Sequence, residues 1–348
     1  MALSVRRDRI AIVLVQPGQP AGQDQVQAYF MALMAARRVR PPSPLASPPV
    51  RALQAIRARH LARHYPVGDA QDADDPMATA LEGALWEEGA LRIFAASLFA
   101  PPSAVAIAHD VALFQPDRII VVPPSSLFSG GLNGLAIDAW QQAARQAGLM
   151  APASILCCHP TDPALLRRLA DRAARALATA DPAGRAMLML VAPGMGRAKD
   201  DPLGWQMRRL ADELARLLNL PAAQVLATHL PVPGFTGGGL PAIDHVLRGV
   251  RAAGLAILPV TPRPLLRPAW ADFLPGWQER AGRAGVISLS LETETDLDGA
   301  DLAPLIRQAL AGRPGICAGF GQRFCPAGQD HCPHRRMAVA AMQHAVGA

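Results

Sequence analysis

An α/β fold built from two doubly wound parallel sheets is the architecture this chain predicts, and three observations predict it. Apolar runs such as RIAIVLV (9–15) and RIIVVP (118–123) alternate with helical stretches along the sequence. Those runs are almost continuously apolar, the pattern of parallel strands covered on both faces. At 348 residues the chain also exceeds what one core usually fills, so a second sheet is expected.

The elements follow in order. A strand at 9–15 leads to an amphipathic helix at 23–38, a Pro-rich hinge, an Arg-studded helix at 51–64 and an acidic surface loop at 65–76. A helix ending at Trp86, strands at 91–96 and 118–123, and helices at 103–115 and 134–148 complete the first half. The second half repeats the alternation, with strands expected at 153–157, 187–192, 224–228, 255–260 and 286–290. Its helices are expected at 162–179, 203–218, 241–253, 269–283 and 300–311. The repetition predicts two Rossmann-like domains related by approximate duplication, 1–150 and 151–312, followed by a Cys-containing tail at 313–348 where the alternation stops.

Composition removes several function classes. A hydrophobic content of 51% excludes general disorder, and the apolar runs are too short to cross a membrane. The basic start followed by an apolar run at 10–15 lacks a signal-type core and cleavage site, so it reads as a first core strand in a cytoplasmic protein. The net charge of +6 comes from Arg, with Lys199 the only lysine. No run of five basic residues occurs and aromatics are 5%, so no nucleic-acid partner is expected. A basic face for an acidic ligand, or for peripheral contact with the inner-membrane surface, stays open.

The chemistry-bearing positions are sparse. The run MLMLVAPGMG (187–196) is a buried strand whose carboxyl end, where α/β proteins place their sites, delivers Pro193, a residue with no proton to give or take. His229 follows the strand 224–228 and reads either as a base in a cleft or as hydrogen-bonded structure. Asp201 precedes Pro202 in a helix start, where N-capping is its default role. Gly237, Gly238 and Gly239 lack the Lys-Ser/Thr of a phosphate loop, and Ser125 and Ser126 lack the nucleophile elbow of hydrolases.

Several motifs in sequence order carry a resemblance. VQPGQP (15–20) is similar to a first-strand loop NLGTP, keeping Gly18 and Pro20. ASLFAPP (96–102) looks like MRYWxP with Ser97 in place of the arginine, and PPSSLFSGGLNGL (123–135) is similar to PLYPQYSxxTxGS, keeping Pro123, Ser129 and Gly134. DDPLGWQ (200–206) resembles GDPYxxQ, keeping Asp201, Pro202 and Gln206. Together these resemble the ferrochelatase family, the enzymes that insert ferrous iron into protoporphyrin, over nearly the whole chain.

The resemblance implies a cleft between the domains lined by Gly18, Leu98, Phe99, Ser129, Pro193, His229 and Leu266. The family's catalytic groups do not carry over. Its SAHG histidine falls on Pro193, and its second histidine and following glutamate fall on Leu266 and Pro268. A degenerate member is therefore expected, one that binds porphyrin or haem with little or no iron insertion, as a carrier, a sensor or a partner of an active chelatase or of a second copy. The alternatives are an active chelatase using His229 and Asp272, and an iron–sulfur regulatory partner protein.

Five cysteines complete the reading. Cys157 and Cys158 follow a strand, and Cys317, Cys325 and Cys332 are spaced by seven and six residues in the tail, unlike a compact zinc knuckle. Many ferrochelatases hold a [2Fe-2S] cluster on one internal and three tail cysteines, so the resemblance implies Cys158 (or Cys157) with Cys317, Cys325 and Cys332 as ligands. Zinc on the tail cysteines with His331 or His334 is the rival set, and free thiols are the third alternative.

Overall fold

The computed structural model describes residues 8–18, 20, 22–36, 76–180, 186–231, 236–260, 276–286, 299–318, 323–329 and 331–334. The expected helix at 51–64, and Leu266, Pro268 and Asp272, lie outside these residues, as do 287–290 of the expected last strand.

The first half forms β1 (Arg9–Gln16), α1 (Gln23–Ala36), α2 (Pro76–Leu85), β2 (Ala90–Ser97), α3 (Ala104–Phe114), β3 (Arg118–Val122), α4 (Asn133–Gln146) and β4 (Ala153–Cys158). The second half forms α5 (Pro163–Ala180), β5 (Met187–Gly194), α6 (Pro202–Leu217), β6 (Val225–Pro231), α7 (Ile243–Ala252), β7 (Ile257–Val260), α8 (Gly276–Arg283), α9 (Gly299–Ala311) and β8 (Gly315–Ala318). A five-stranded sheet runs β2-β1-β3-β4-β8 and a three-stranded sheet runs β6-β5-β7. Every strand pairing in both is parallel.

The predicted α/β class and parallel sheets are what the chain forms, and β1 shows why they were legible. Ile10, Ile12 and Leu14 belong to one apolar cluster and Ala11, Val13 and Val15 to another, so both faces of the strand are buried. Trp140 of α4 and Val111 of α3 cover the second of these faces. Leu169 of α5, Met207 of α6 and Ile306 of α9 lie in the first cluster together with Leu188 and Leu190 of β5. The two sheets thus share one continuous core with helices between them. Ile243, Leu247 and Val250 of α7 close the outer face of the smaller sheet over Met189 and Val191. Among the described residues no helix is long and apolar enough to cross a membrane.

Two features differ from expectation. The division expected near residue 150 is crossed by sheet membership, because β4 pairs with β3 in the first sheet. The tail also is not without regular structure. Its first residues form β8, which pairs with β4 through Ile155↔Ile316 and Leu156↔Cys317. Four residues, GICA, are too short to show a strand pattern, and only the open edge of β4 makes them one.

Candidate functional site

The carboxyl ends of β1 and β2 bring three of the expected cleft residues together. Gly18 turns the chain after β1 with φ +81, and a Cβ there would stand 2.7 Å from that of Ser97, so glycine is needed on both counts. Leu98 N donates to the carbonyl of Gln16 at 2.9 Å and Phe99 N to that of Pro17 at 3.0 Å. Phe99 then meets Tyr29 of α1 edge to face, with centroids 5.9 Å apart.

Ser129 is buried in the loop between β3 and α4, where its carbonyl accepts from Leu132 N and Gly134 N. That loop reaches the smaller sheet through Gly131 N, which donates to the carbonyl of Met195 at 2.8 Å, just beyond β5. Pro193 lies near the end of β5, half-buried, and is registered with Leu230 of β6. His229 is registered with Ala192. Successive strand residues point to opposite faces, so the imidazole and the Pro193 ring leave opposite sides of the sheet.

His229 is also held. Its Nδ1 donates to the carbonyl of Pro241 at 3.1 Å, and its backbone N donates to the same carbonyl. The ring packs where a Cβ on Gly194 or Gly237 would fall. Burial lowers its pKa, with the carbonyls of Pro241 and Leu240 pulling the other way.

The motif residues that survive in DDPLGWQ grip the Ser129 loop. Asp201 is fully buried; its Oδ1 caps α6 by accepting from Leu203 N at 3.1 Å. Its Oδ2 accepts from Gly130 N and Arg197 N, both at 2.9 Å. One turn on, Gln206 Oε1 accepts from Phe128 N at 2.7 Å, and Gln206 Nε2 donates to Cys325 Sγ at 3.2 Å. Asp201 was expected as a cap; the tertiary grip of both residues was not, because nothing in a sequence says which distant N–H a buried carboxylate or amide will meet.

A second set, of which the sequence singled out only Ser97 and Ser126 and for other reasons, comes together in the fold. Gln16 Nε2, Ser97 Oγ, Ser126 Oγ and both ring nitrogens of His159 are buried without a hydrogen-bond partner. They stand at or just beyond the carboxyl ends of β1, β2, β3 and β4. His159 N donates to the carbonyl of Ser126 at 2.8 Å, and burial lowers the pKa of its ring to about 4. Polar side chains at those ends are the only sequence signal, and it is weak.

The thiols gather behind this edge. Cys157 and Cys158 sulfurs are 3.7 Å apart, Cys158 contacts Cys325, and Cys325 contacts Cys332. All four are buried, and none of them is in a disulfide. The neighbouring Cys157 thiol, then burial, raises Cys158 well above the usual thiol range, against the bond from Cys325. Cys158, followed by burial, pushes Cys325 up to about 12, and Cys325, followed by burial, raises Cys332. The backbone of Cys317 lies beside Leu156 in the β8–β4 pairing, and its side chain is outside the described residues.

Trp205 of α6 anchors the tail against Phe324, with centroids 5.1 Å apart. His331 Nε2 stands 3.4 Å from Asp200 Oδ1, and burial lowers the pKa of His334. The contacts between sulfurs are pairwise; among the described residues no group of three or more His, Cys, Asp or Glu is spaced to hold a metal ion.

Comparison with known proteins agrees with this scaffold. A family model described as Ferrochelatase matches residues 9–260. A protein described as a ferrochelatase from Hyphomonas neptunium (strain ATCC 15444) is 25% identical over 220 residues, which is 60% of this chain. The chain spans 60% of that relative's length. Among solved structures, a periplasmic sugar-binding protein of an ABC sugar transporter from Legionella pneumophila is 13% identical, with 90% of this chain and 92% of that one covered and a TM-score of 0.28. A carbohydrate transporter from Acidothermus cellulolyticus 11B, in complex with myo-inositol, is 13% identical over 91% of this chain and 90% of its own, also at 0.28. Likeness of that degree bears on neither fold nor function.

Proposed function

The chain belongs to the ferrochelatase family, and from that premise we propose that it serves tetrapyrrole and haem metabolism by binding porphyrin or haem, with little or no insertion of iron. The observation that carries this reading is Pro193 at the carboxyl end of β5. Iron insertion must take two N–H protons from the macrocycle, which calls for a base titrating near neutrality, and must deliver a cation, which calls for imidazole or carboxylate. A pyrrolidine ring does neither. Around it the scaffold is kept: Asp201 and Gln206 still hold the Ser129 loop.

An active chelatase working through His229 and Asp272 is the competing reading. The bond from His229 Nδ1 to the Pro241 carbonyl, which commits one of its two ring nitrogens, counts against it. Titration with protoporphyrin should give saturable fluorescence quenching, while anaerobic mixing with protoporphyrin and ferrous iron should give no haem above the uncatalysed rate. Absence of quenching removes the binding reading, and steady haem formation removes the degenerate one.

We further assign Cys158, Cys325 and Cys332, with Cys317 as the fourth thiol, to a [2Fe-2S] cluster, zinc being the alternative. Soft thiolates suit both, and Cys158 earns its place over Cys157 by its contact with Cys325. Either group, when bound, would tie the tail to β4 by ligation, in a segment with few apolar residues to bury. Protein purified without air should show the visible absorption of a cluster, or zinc at one ion per chain. A colourless, zinc-free chain with all five thiols titratable would defeat the assignment.

A further inference from the structure

We infer that Gln206 is a positioning residue that links the tail thiols to the Ser129 loop, so that a metal held at Cys325 and a tetrapyrrole held in the cleft affect each other's binding. The second half of that statement rests on the binding reading above; the link itself does not.

The carboxamide of Gln206 is a two-ended connector. One end accepts from Phe128 N at 2.7 Å and the other donates to Cys325 Sγ at 3.2 Å. Gln206 is fully buried, Phe128 and Cys325 are each 3% exposed, and water has no access to replace either bond. An amide is planar, so a shift at one end is felt at the other. A thiol sulfur is a weak acceptor, whereas a metal-ligating sulfur carries more negative charge, and hydrogen bonds to charged acceptors are roughly twice as strong. Ligation at Cys325 therefore draws on the amide of Gln206 and, through it, on Phe128.

Two residues away, Asp201 pins Gly130 of the same loop from the same end of α6. The segment before Ser129 is fastened through Gln206 and the one after it through Asp201, and only the first fastening reaches one of the tail thiols. Phe128 packs in the apolar cluster over β1 and β3, beside Ile137 and Trp140. A change at its backbone thus has packed neighbours on both sides. Linkage is reciprocal: whatever ligation at the thiols does to the loop, a ligand held against the loop does to ligation.

Amide hydrogen exchange over residues 126–132 tests the link on the full chain. Adding zinc to the reduced, metal-free protein should slow exchange at Phe128 by about five-fold or more, and by less than about two-fold in Gln206→Leu at equal zinc content. An equal response in Gln206→Leu, or none in the parent chain, overturns the inference. Should zinc fail to bind, Cys325→Ala takes its place. It should speed exchange at Phe128 in the parent background but not in Gln206→Leu, with Cys325→Ser retaining most of the protection. Exchange indifferent to Cys325→Ala overturns the inference equally. The affinity for protoporphyrin is then compared with and without zinc, and the ratio should collapse toward one in Gln206→Leu. If the exchange result holds and protoporphyrin does not bind, the binding reading falls and the link stands.

Discussion

At the scale of single residues, Asp201 and His229 show how far chemistry-bearing side chains can be committed to structure. Asp201 satisfies three backbone N–H groups from three stretches of chain. Asp201→Ala removes a helix cap and strands two further donors, Gly130 N buried and Arg197 N part-buried, a loss on the order of 2–4 kcal/mol; a urea denaturation midpoint reads it directly. His229 makes a prediction about pH. Burial lowers its folded pKa, so the unfolded chain takes up the proton at the higher pH. Its contribution is present above about 6.5 and is lost as pH falls below that value. Denaturation midpoints measured from pH 7 downward should fall less steeply in His229→Gln, which retains a donor for Pro241; equal slopes would show that the ring titrates alike in both states. The place of Pro193 at the end of a buried strand was legible from the sequence. The opposite facing of His229 was not, because a register with Ala192 exists only once β5 and β6 pair.

At the scale of elements, what the sequence disclosed depended on length and burial. β1, β3 and β5 were legible because four or more apolar residues in a row need cover on both faces. The start of α6 was legible because Asp201 and Pro202 are a local signal. β8 was not, since its reason lies 160 residues earlier in the unfilled edge of β4. Truncation after residue 312 should therefore do more than remove a tail. It strips the outer strand from the larger sheet and uncovers β4, whose N–H and C=O groups then offer a template for another chain. Such a variant should melt at lower temperature and sediment as aggregates where the full chain stays dispersed. Unchanged melting would mean that β8 adds nothing to the sheet.

At the scale of the whole molecule, one core serves both sheets, and two described positions that differ from the ferrochelatase pattern, Ser97 and Pro193, lie at the carboxyl ends of β2 and β5, outside its apolar clusters. Ile12 and Leu14 share a cluster with Leu188 and Leu190, so a change of volume in one sheet is felt by the other. The return of the chain to its first sheet has a consequence for biosynthesis. Strands β1 to β4 are translated long before β8 exists, so a nascent polypeptide must carry an incomplete sheet, with the vicinal pair Cys157 and Cys158 at its unfinished border, while more than 150 residues are still being added. Pairings between segments so distant along the chain close slowly. The interval before the final strand docks is when this protein would most need a chaperone, and when oxidants would find those two sulfurs easiest to reach.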